Sequence, residues 1–280
     1  MTHPLITPHE LAALLATEAP PVVLDVRWRL DAPDGRAAYH AGHVPSAQYV
    51  SLDDDLARHG EPADGRHPLP DPAAFAETVR RWGVDTGQTV VVYDDWLTYG
   101  ASRAWWMLAD AGIPARVLDG GLAAWRDAGL PLAAGHEPAP EPGTAVLSPG
   151  RLAQLTIDDA AALAEHGLLL DVRAGERYRG EVEPLDPRAG HIPGARNAPT
   201  TDNSDAEGRM LAPAVLRERF AALGARAGEP VGVSCGSGVS AAHAALALTV
   251  AGFTPALYVG SWSQWANSPD RPVATGPQPG

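Results

Sequence analysis

Short apolar runs recur along the chain, each ended by polar or glycine-rich residues, and they alternate with longer stretches of helix formers. Pro21-Val-Val-Leu-Asp25, Thr89-Val-Val-Val-Tyr93 and Ala115-Arg-Val-Leu118 are apolar over too few residues for a helix and predict buried strands. Leu168-Leu-Leu-Asp171, Val231-Gly-Val-Ser234 and Leu257-Tyr-Val259 do the same further on. Ala101 to Ala111 and Ala241 to Val250 predict helices, stopped by Gly112 and Gly252. Thr7-Pro8-His9-Glu10 opens the first helix as a capping box, with the threonine at the cap and the glutamate three residues later. Strands separated by helices predict parallel α/β sheets.

The pattern occurs twice. Leu24-Asp-Val-Arg27 matches Leu170-Asp-Val-Arg173, and Gly42-His-Val-Pro-Ser-Ala47 matches Gly190-His-Ile-Pro-Gly-Ala195. Val90 to Asp94 matches Val231 to Cys235, and Leu118 to Trp125 matches Leu257 to Trp265. Repeats of this length predict two copies of one domain, over 1–130 and 150–280. The Pro-, Gly- and Ala-rich residues 131–149 between them are expected to form a linker. Asp25, Asp171, Trp125 and Trp265 recur in both copies and are read as structural, and Trp105 and Trp106 as core residues of a helix.

Composition narrows the chemistry. The 280 residues suffice for two cores, and a net charge of −13 disfavours nucleic acid and anionic membranes as partners. All 21 cationic side chains are arginine, which excludes a Walker-type phosphate loop and a Schiff-base lysine. An anionic substrate is still accessible through local arginines. The single cysteine forms no internal disulfide, and neither a signal peptide nor an apolar run of membrane-spanning length is visible, so the cytoplasm is the expected compartment.

That cysteine lies in Cys235-Gly-Ser-Gly-Val-Ser240, between a strand and a helix. Gly236 and Gly238 let the loop curl so that its N–H groups point at the sulfur, and the following helix presents its positive end. Such a cradle stabilises an anion on sulfur and makes Cys235 the candidate nucleophile. Its place at the carboxyl end of a strand is where open α/β sheets bind ligands.

The loop resembles that of the 3-mercaptopyruvate sulfurtransferases of the rhodanese superfamily, where Cys-Gly-Ser-Gly-Val-Thr is usual, rather than the Cys-Arg-Lys-Gly-Val-Thr of thiosulfate sulfurtransferases. The tandem layout is similar over essentially the whole chain, with Asp94 standing where the first copy would need a cysteine. The resemblance implies two rhodanese-like domains, no metal or organic cofactor, a small anionic sulfur donor, and an acceptor such as a small thiol or a thioredoxin-like protein. It implies catalytic roles for Cys235 and Ser237, with a histidine and an aspartate from the first half that by position are His43 and Asp34. Gly236, Gly238, Val239 and Ser240 would line the donor, and Arg177 would grip its carboxylate in a bidentate fork. The usual spacing of a second arginine falls on Asp186, leaving Arg188 or Arg179 as candidates. Gly65-Arg-His67-Pro-Leu-Pro70 resembles a recurrent family segment and carries no assigned role. The expected reaction passes sulfur from 3-mercaptopyruvate through a Cys235 persulfide to a thiol or cyanide, with thiosulfate as the alternative donor. Two rivals are a cysteine phosphatase, which would need an arginine where Ala241 stands, and a non-catalytic module, which would need neither the cysteine nor its glycines.

Overall fold

The apolar runs form two five-stranded sheets in a computed structural model that describes residues 3–280. The first half consists of β1 (Leu5–Ile6), α1 (Pro8–Leu15), β2 (Val22–Asp25), α2 (Arg36–Ala41), β3 (Gln48–Tyr49), α3 (Leu52–Asp55), α4 (Pro72–Arg81), β4 (Val90–Tyr93), α5 (Tyr99–Asp110), β5 (Ala115–Leu118) and α6 (Gly121–Asp127). The second consists of β6 (Ala153–Gln154), α7 (Ile157–His166), β7 (Leu169–Asp171), α8 (Gly175–Tyr178), β8 (Arg196–Asn197), α9 (Pro213–Ala222), β9 (Pro230–Ser234), α10 (Val239–Ala251), β10 (Thr254–Leu257) and α11 (Ser261–Ala266). Every strand pair is parallel, and the orders β1-β5-β4-β2-β3 and β6-β10-β9-β7-β8 are the same topology twice. The predicted α/β class and the duplication are both present.

Each sheet packs its apolar residues against its own helices. In one copy Val23, Val91, Leu118, Leu122 and Trp125 share a cluster, and in the other Leu169, Ile192, Tyr258, Trp262 and Trp265 do. The indole N–H groups of Trp125 and Trp265 donate to Pro131 O and Pro272 O, both at 2.8 Å, so these tryptophans brace the fold as expected. The Thr7–Glu10 capping box closes reciprocally, with Thr7 N donating to Glu10 at 2.8 Å.

Sequence order and spatial grouping part company in two places. Residues 59–69 group with the second compact unit, and residues 205–210 with the first. The segment 131–149, expected to be a linker, is tied along the first unit. His43 and Ala133 exchange backbone hydrogen bonds at 2.9 Å each, Gly143 N donates to Arg80 O at 2.8 Å, and Ser148 N donates to Ala111 O at 2.8 Å. Among the described residues no helix is long and apolar enough to cross a membrane.

Central strand β9 delivers its last residue to the carboxyl edge of the second sheet, and α10 leaves from there. This helix is apolar on every face, and it runs from Gly238 to Gly252, both in the left-handed conformation that glycine adopts without strain. His243 lies fully buried within it, and burial pushes its imidazole down to about 4. Because the folded value lies below the ordinary one near 6.5, the unfolded chain binds more protons between pH 6.5 and 4. Stability is therefore complete above pH 6.5 and falls toward pH 4, by about 3 kcal/mol from this residue. Urea titrations of wild type and His243→Gln across that window should show a shallower acid limb in the variant, whereas parallel curves would remove His243 as the cause.

Candidate active site

The loop after β9 is held by main chain on both sides. Trp262 N donates to Cys235 O and Ser263 N to Gly236 O, both at 2.9 Å, so the first turn of α11 fixes the loop's path. Ser261 adds its hydroxyl, which accepts from Cys235 N at 3.0 Å, donates to Tyr258 O at 2.8 Å and lies 3.9 Å from the sulfur. Ser261 takes a left-handed φ of 51°, uncommon for a residue with a side chain. The corresponding Gly121 has φ 56°. In the cradle itself, Gly238 N donates to Cys235 Sγ at 3.1 Å. Cys235 is only 2% exposed and Ser237 only 6%, which keeps bulk water from the sulfur. Val239 is buried in the first turn of α10, with Ser240 beside it.

Below the loop, Asp171 at the end of β7 and Arg173 form a buried pair, with Nε on Oδ1 at 3.0 Å and Nη2 on Oδ2 at 2.6 Å. The Arg173 guanidinium also donates to Gly190 O at 2.6 Å and lies 4.7 Å over the Trp262 ring. Asp25 and Arg27 repeat this pairing in the first copy, at 3.1 and 2.7 Å. Removing one member of such a buried pair costs on the order of 3–5 kcal/mol, because the other charge is left uncompensated.

Arg177 lies at the edge of the loop as expected. Its Nη2 donates to Glu183 at 2.7 Å, and its Nη1 would lie 3.5 Å from a Cβ built on Gly236. Glu183 is nearly buried and also meets Arg173 at 3.4 Å, so carboxylates beneath the loop orient the guanidiniums. Arg179 is turned away and pairs with Glu181 at 2.8 Å.

Three expected site residues are placed elsewhere. Arg188 commits four of its five N–H donors to the carbonyls of Trp265, Ala266, Ser268 and Arg271 at 2.6–2.9 Å, closing the C-terminal end of α11. His43 is fully buried with Nδ1 2.9 Å from Tyr39 O and Nε2 3.2 Å from Glu137, its ring stacked on Tyr39 at 4.0 Å. His191 repeats this arrangement, 2.8 Å from Tyr178 O and stacked on Tyr178 at 3.7 Å. A histidine held alike in both copies braces the Gly-His-Val/Ile-Pro turn. Asp34 is exposed and accepts from Arg36 N at 3.0 Å at the start of α2.

The histidine on Ser237 is His67, whose Nδ1 is 2.8 Å from Ser237 Oγ. Next to it, Arg66 pairs with Asp186, and its Nη2 would lie 3.0 Å from a Cβ on Gly236. The segment is seated by Arg66 N donating to Ser263 Oγ at 3.1 Å and Gln264 Nε2 donating to Ala63 O at 3.1 Å. The Gly-Arg-His-Pro-Leu-Pro signature was the available signal for both residues.

In the first copy Asp94 fills the equivalent cradle. Its carboxylate accepts from Trp96 N and Thr98 N at 2.9 Å and from Ala101 N at 3.1 Å, while burial pushes it up to about 7. A carboxylate in the cradle leaves no place for a persulfide.

Parallel five-stranded domains in duplicate, with a glycine-cradled cysteine in one copy only, define a rhodanese-type chain. The Rhodanese-like domain family matches residues 7–128 and 154–268, and the chain belongs to that family. It is 47% identical over 97% of both chains to a Mycobacterium tuberculosis protein named "Putative thiosulfate sulfurtransferase SseB". It is 48% identical to the "Probable 3-mercaptopyruvate sulfurtransferase" of Pseudomonas aeruginosa, over 97% of this chain and 98% of the other. Among solved structures, the 3-mercaptopyruvate sulfurtransferase SseA of Escherichia coli superposes with a TM-score of 0.81 at 32% identity, covering 93% of this chain and 99% of that one.

His43→Ala and His191→Ala should each lower unfolding free energy by about 1–3 kcal/mol, because each strips the hydrogen-bond partner from a buried tyrosine carbonyl. Denaturant titration measures this. Wild-type stability in His43→Ala would show that the ring does not brace its turn.

Proposed function

We propose that the chain is a sulfurtransferase taking its sulfur from 3-mercaptopyruvate. The observation that carries this reading is a cysteine loop with no cation in its own sequence, with the Arg177 and Arg66 guanidiniums beside Gly236. Mercaptopyruvate carries its carboxylate away from its sulfur, which suits a loop that holds no cation itself and has guanidiniums beside it. Thiosulfate carries its charge next to the transferred sulfur and gains from a cationic loop. It is nevertheless the second donor to test, given the name carried by the mycobacterial relative.

The Cys235 thiolate attacks the donor sulfur, an S–S bond forms, and the C–S bond breaks with its electron pair left on carbon. The resulting enolate takes a proton and leaves as pyruvate. Ser237 and His67, sharing a hydrogen bond at 2.8 Å, form the relay that supplies this proton. The persulfide stays in the N–H cradle until an acceptor thiolate attacks its outer sulfur and the Cys235 thiolate is released. A small thiol, a thioredoxin-like protein or cyanide fits the acceptor role.

Cys235→Ser should retain the wild-type melting temperature and lose all sulfur transfer, because a hydroxyl is neither ionised near neutral pH nor able to carry a sulfane sulfur. Mass spectrometry after donor treatment should find about 32 Da added to wild type and nothing added to the variant. His67→Ala should lower kcat by about 100-fold or more at unchanged stability. Arg177→Ala should lower kcat/KM for mercaptopyruvate by roughly 10- to 150-fold, the equivalent of one charge-assisted hydrogen bond. Greater efficiency with thiosulfate than with mercaptopyruvate in wild type would replace the donor and leave the cysteine chemistry standing.

A further inference from the structure

Three arginines and three carboxylates interlock beneath the cysteine loop: Arg173 with Asp171 and Glu183, Arg177 with Glu183 and Asp186, and Arg66 with Asp186. Formal charge balances across the six. Arg177 and Arg66 are nevertheless not consumed by it. Arg177 holds Glu183 through Nη2 and turns Nη1 toward Gly236, while Arg66 holds Asp186 through Nη1 and turns Nη2 toward the same glycine. A Cβ on Gly236 would meet the Arg66 nitrogen at 3.0 Å and the Arg177 nitrogens at 3.5 and 3.9 Å. The Nε–H groups of both arginines and Asp186 Oδ2 are buried without a hydrogen-bond partner. Two guanidiniums that each turn a nitrogen toward one glycine of the cysteine loop, with buried N–H groups still to be matched, indicate a site built for an anion that brings acceptors with it. Asp186 is itself only 2% exposed, so its role is to aim Arg66 rather than to face the solvent.

We propose that Arg66 is the second guanidinium of the donor site, gripping an oxygen-rich end of the donor opposite Arg177, with Asp186 as its positioning residue. The proposal rests on the mercaptopyruvate reading for the identity of the donor, but not for its charge. It accounts for the departure at Asp186, where the resemblance calls for an arginine: the carboxylate there holds a guanidinium supplied by another segment. The cation now comes from the residue next to His67, so one short segment supplies both the proton relay and half of the anion grip.

The test is made in an Asp186→Asn background, so that removing Arg66 does not strand a buried carboxylate, and Asp186→Asn alone is the reference. Adding Arg66→Met should raise KM for mercaptopyruvate by about 10- to 100-fold with kcat within about threefold. The second readout is alkylation of Cys235, where iodoacetate and iodoacetamide form the same S–C bond with loss of iodide and differ in one carboxylate. Their rate ratio should fall about tenfold on adding Arg66→Met. Unchanged KM and an unchanged ratio would overturn the proposal. So would a loss of kcat at constant KM together with a lowered melting temperature, which would make Arg66 a brace. If wild type does not use mercaptopyruvate and the ratio still falls, the donor reading fails while the anion grip stands.

Discussion

The site depends on the backbone clasp between the cysteine loop and the first turn of α11. Trp262 N and Ser263 N take the carbonyls of Cys235 and Gly236, and the Ser261 hydroxyl takes the Cys235 N–H. With its outer edge tied, the loop turns the Gly238 N–H inward on the sulfur. The clasp is built around a serine at φ 51°, an arrangement that costs on the order of 1 kcal/mol or more and persists only where the surroundings enforce it. Trp262 links this edge to the layer below, because its ring lies under the Arg173 guanidinium that Asp171 anchors to β7.

The two copies show what the scaffold determines and what is free to vary. Strand order, the Asp–Arg pair, the stacked histidine and the tryptophan on a proline carbonyl occur in both. The loop after the central strand differs. Asp94 satisfies three N–H groups in one copy, and Cys235 with its glycines occupies the other. A turn whose N–H groups face the residue after the central strand is therefore common to both copies, and that residue is a hydrogen-bonded carboxyl in one and a thiol in the other.

The α/β class, the duplication and Cys235 were legible because they rest on local signals: apolar runs, a repeated order of motifs, and glycines at a strand-to-helix turn. The His67–Ser237 contact and the place of Arg66 beside the loop were not. His43 and His67 both lie within two residues of a proline in the first half, and only spatial grouping tells which reaches Ser237. The repeat partner His191 already marked His43 as a shared brace, a clue that position in the motif outweighed. Arg188 looked like a displaced substrate arginine because nothing in its sequence neighbourhood reveals four carbonyls at a helix end about eighty residues away. Arg66 was hidden for a related reason, since its partner Asp186 lies 120 residues further along the chain.

The membership of residues 59–69 in the second unit has a genetic consequence. A duplication whose copies stayed independent could be undone, the catalytic copy living on as a single-domain gene. Here the descendant encoded from about residue 150 onward would inherit the nucleophile without His67 or Arg66, which are written in the reading frame of its sister. The half without a cysteine thus encodes two residues that meet the cysteine loop, so a gene divided near residue 150 would also divide the loop from its neighbours.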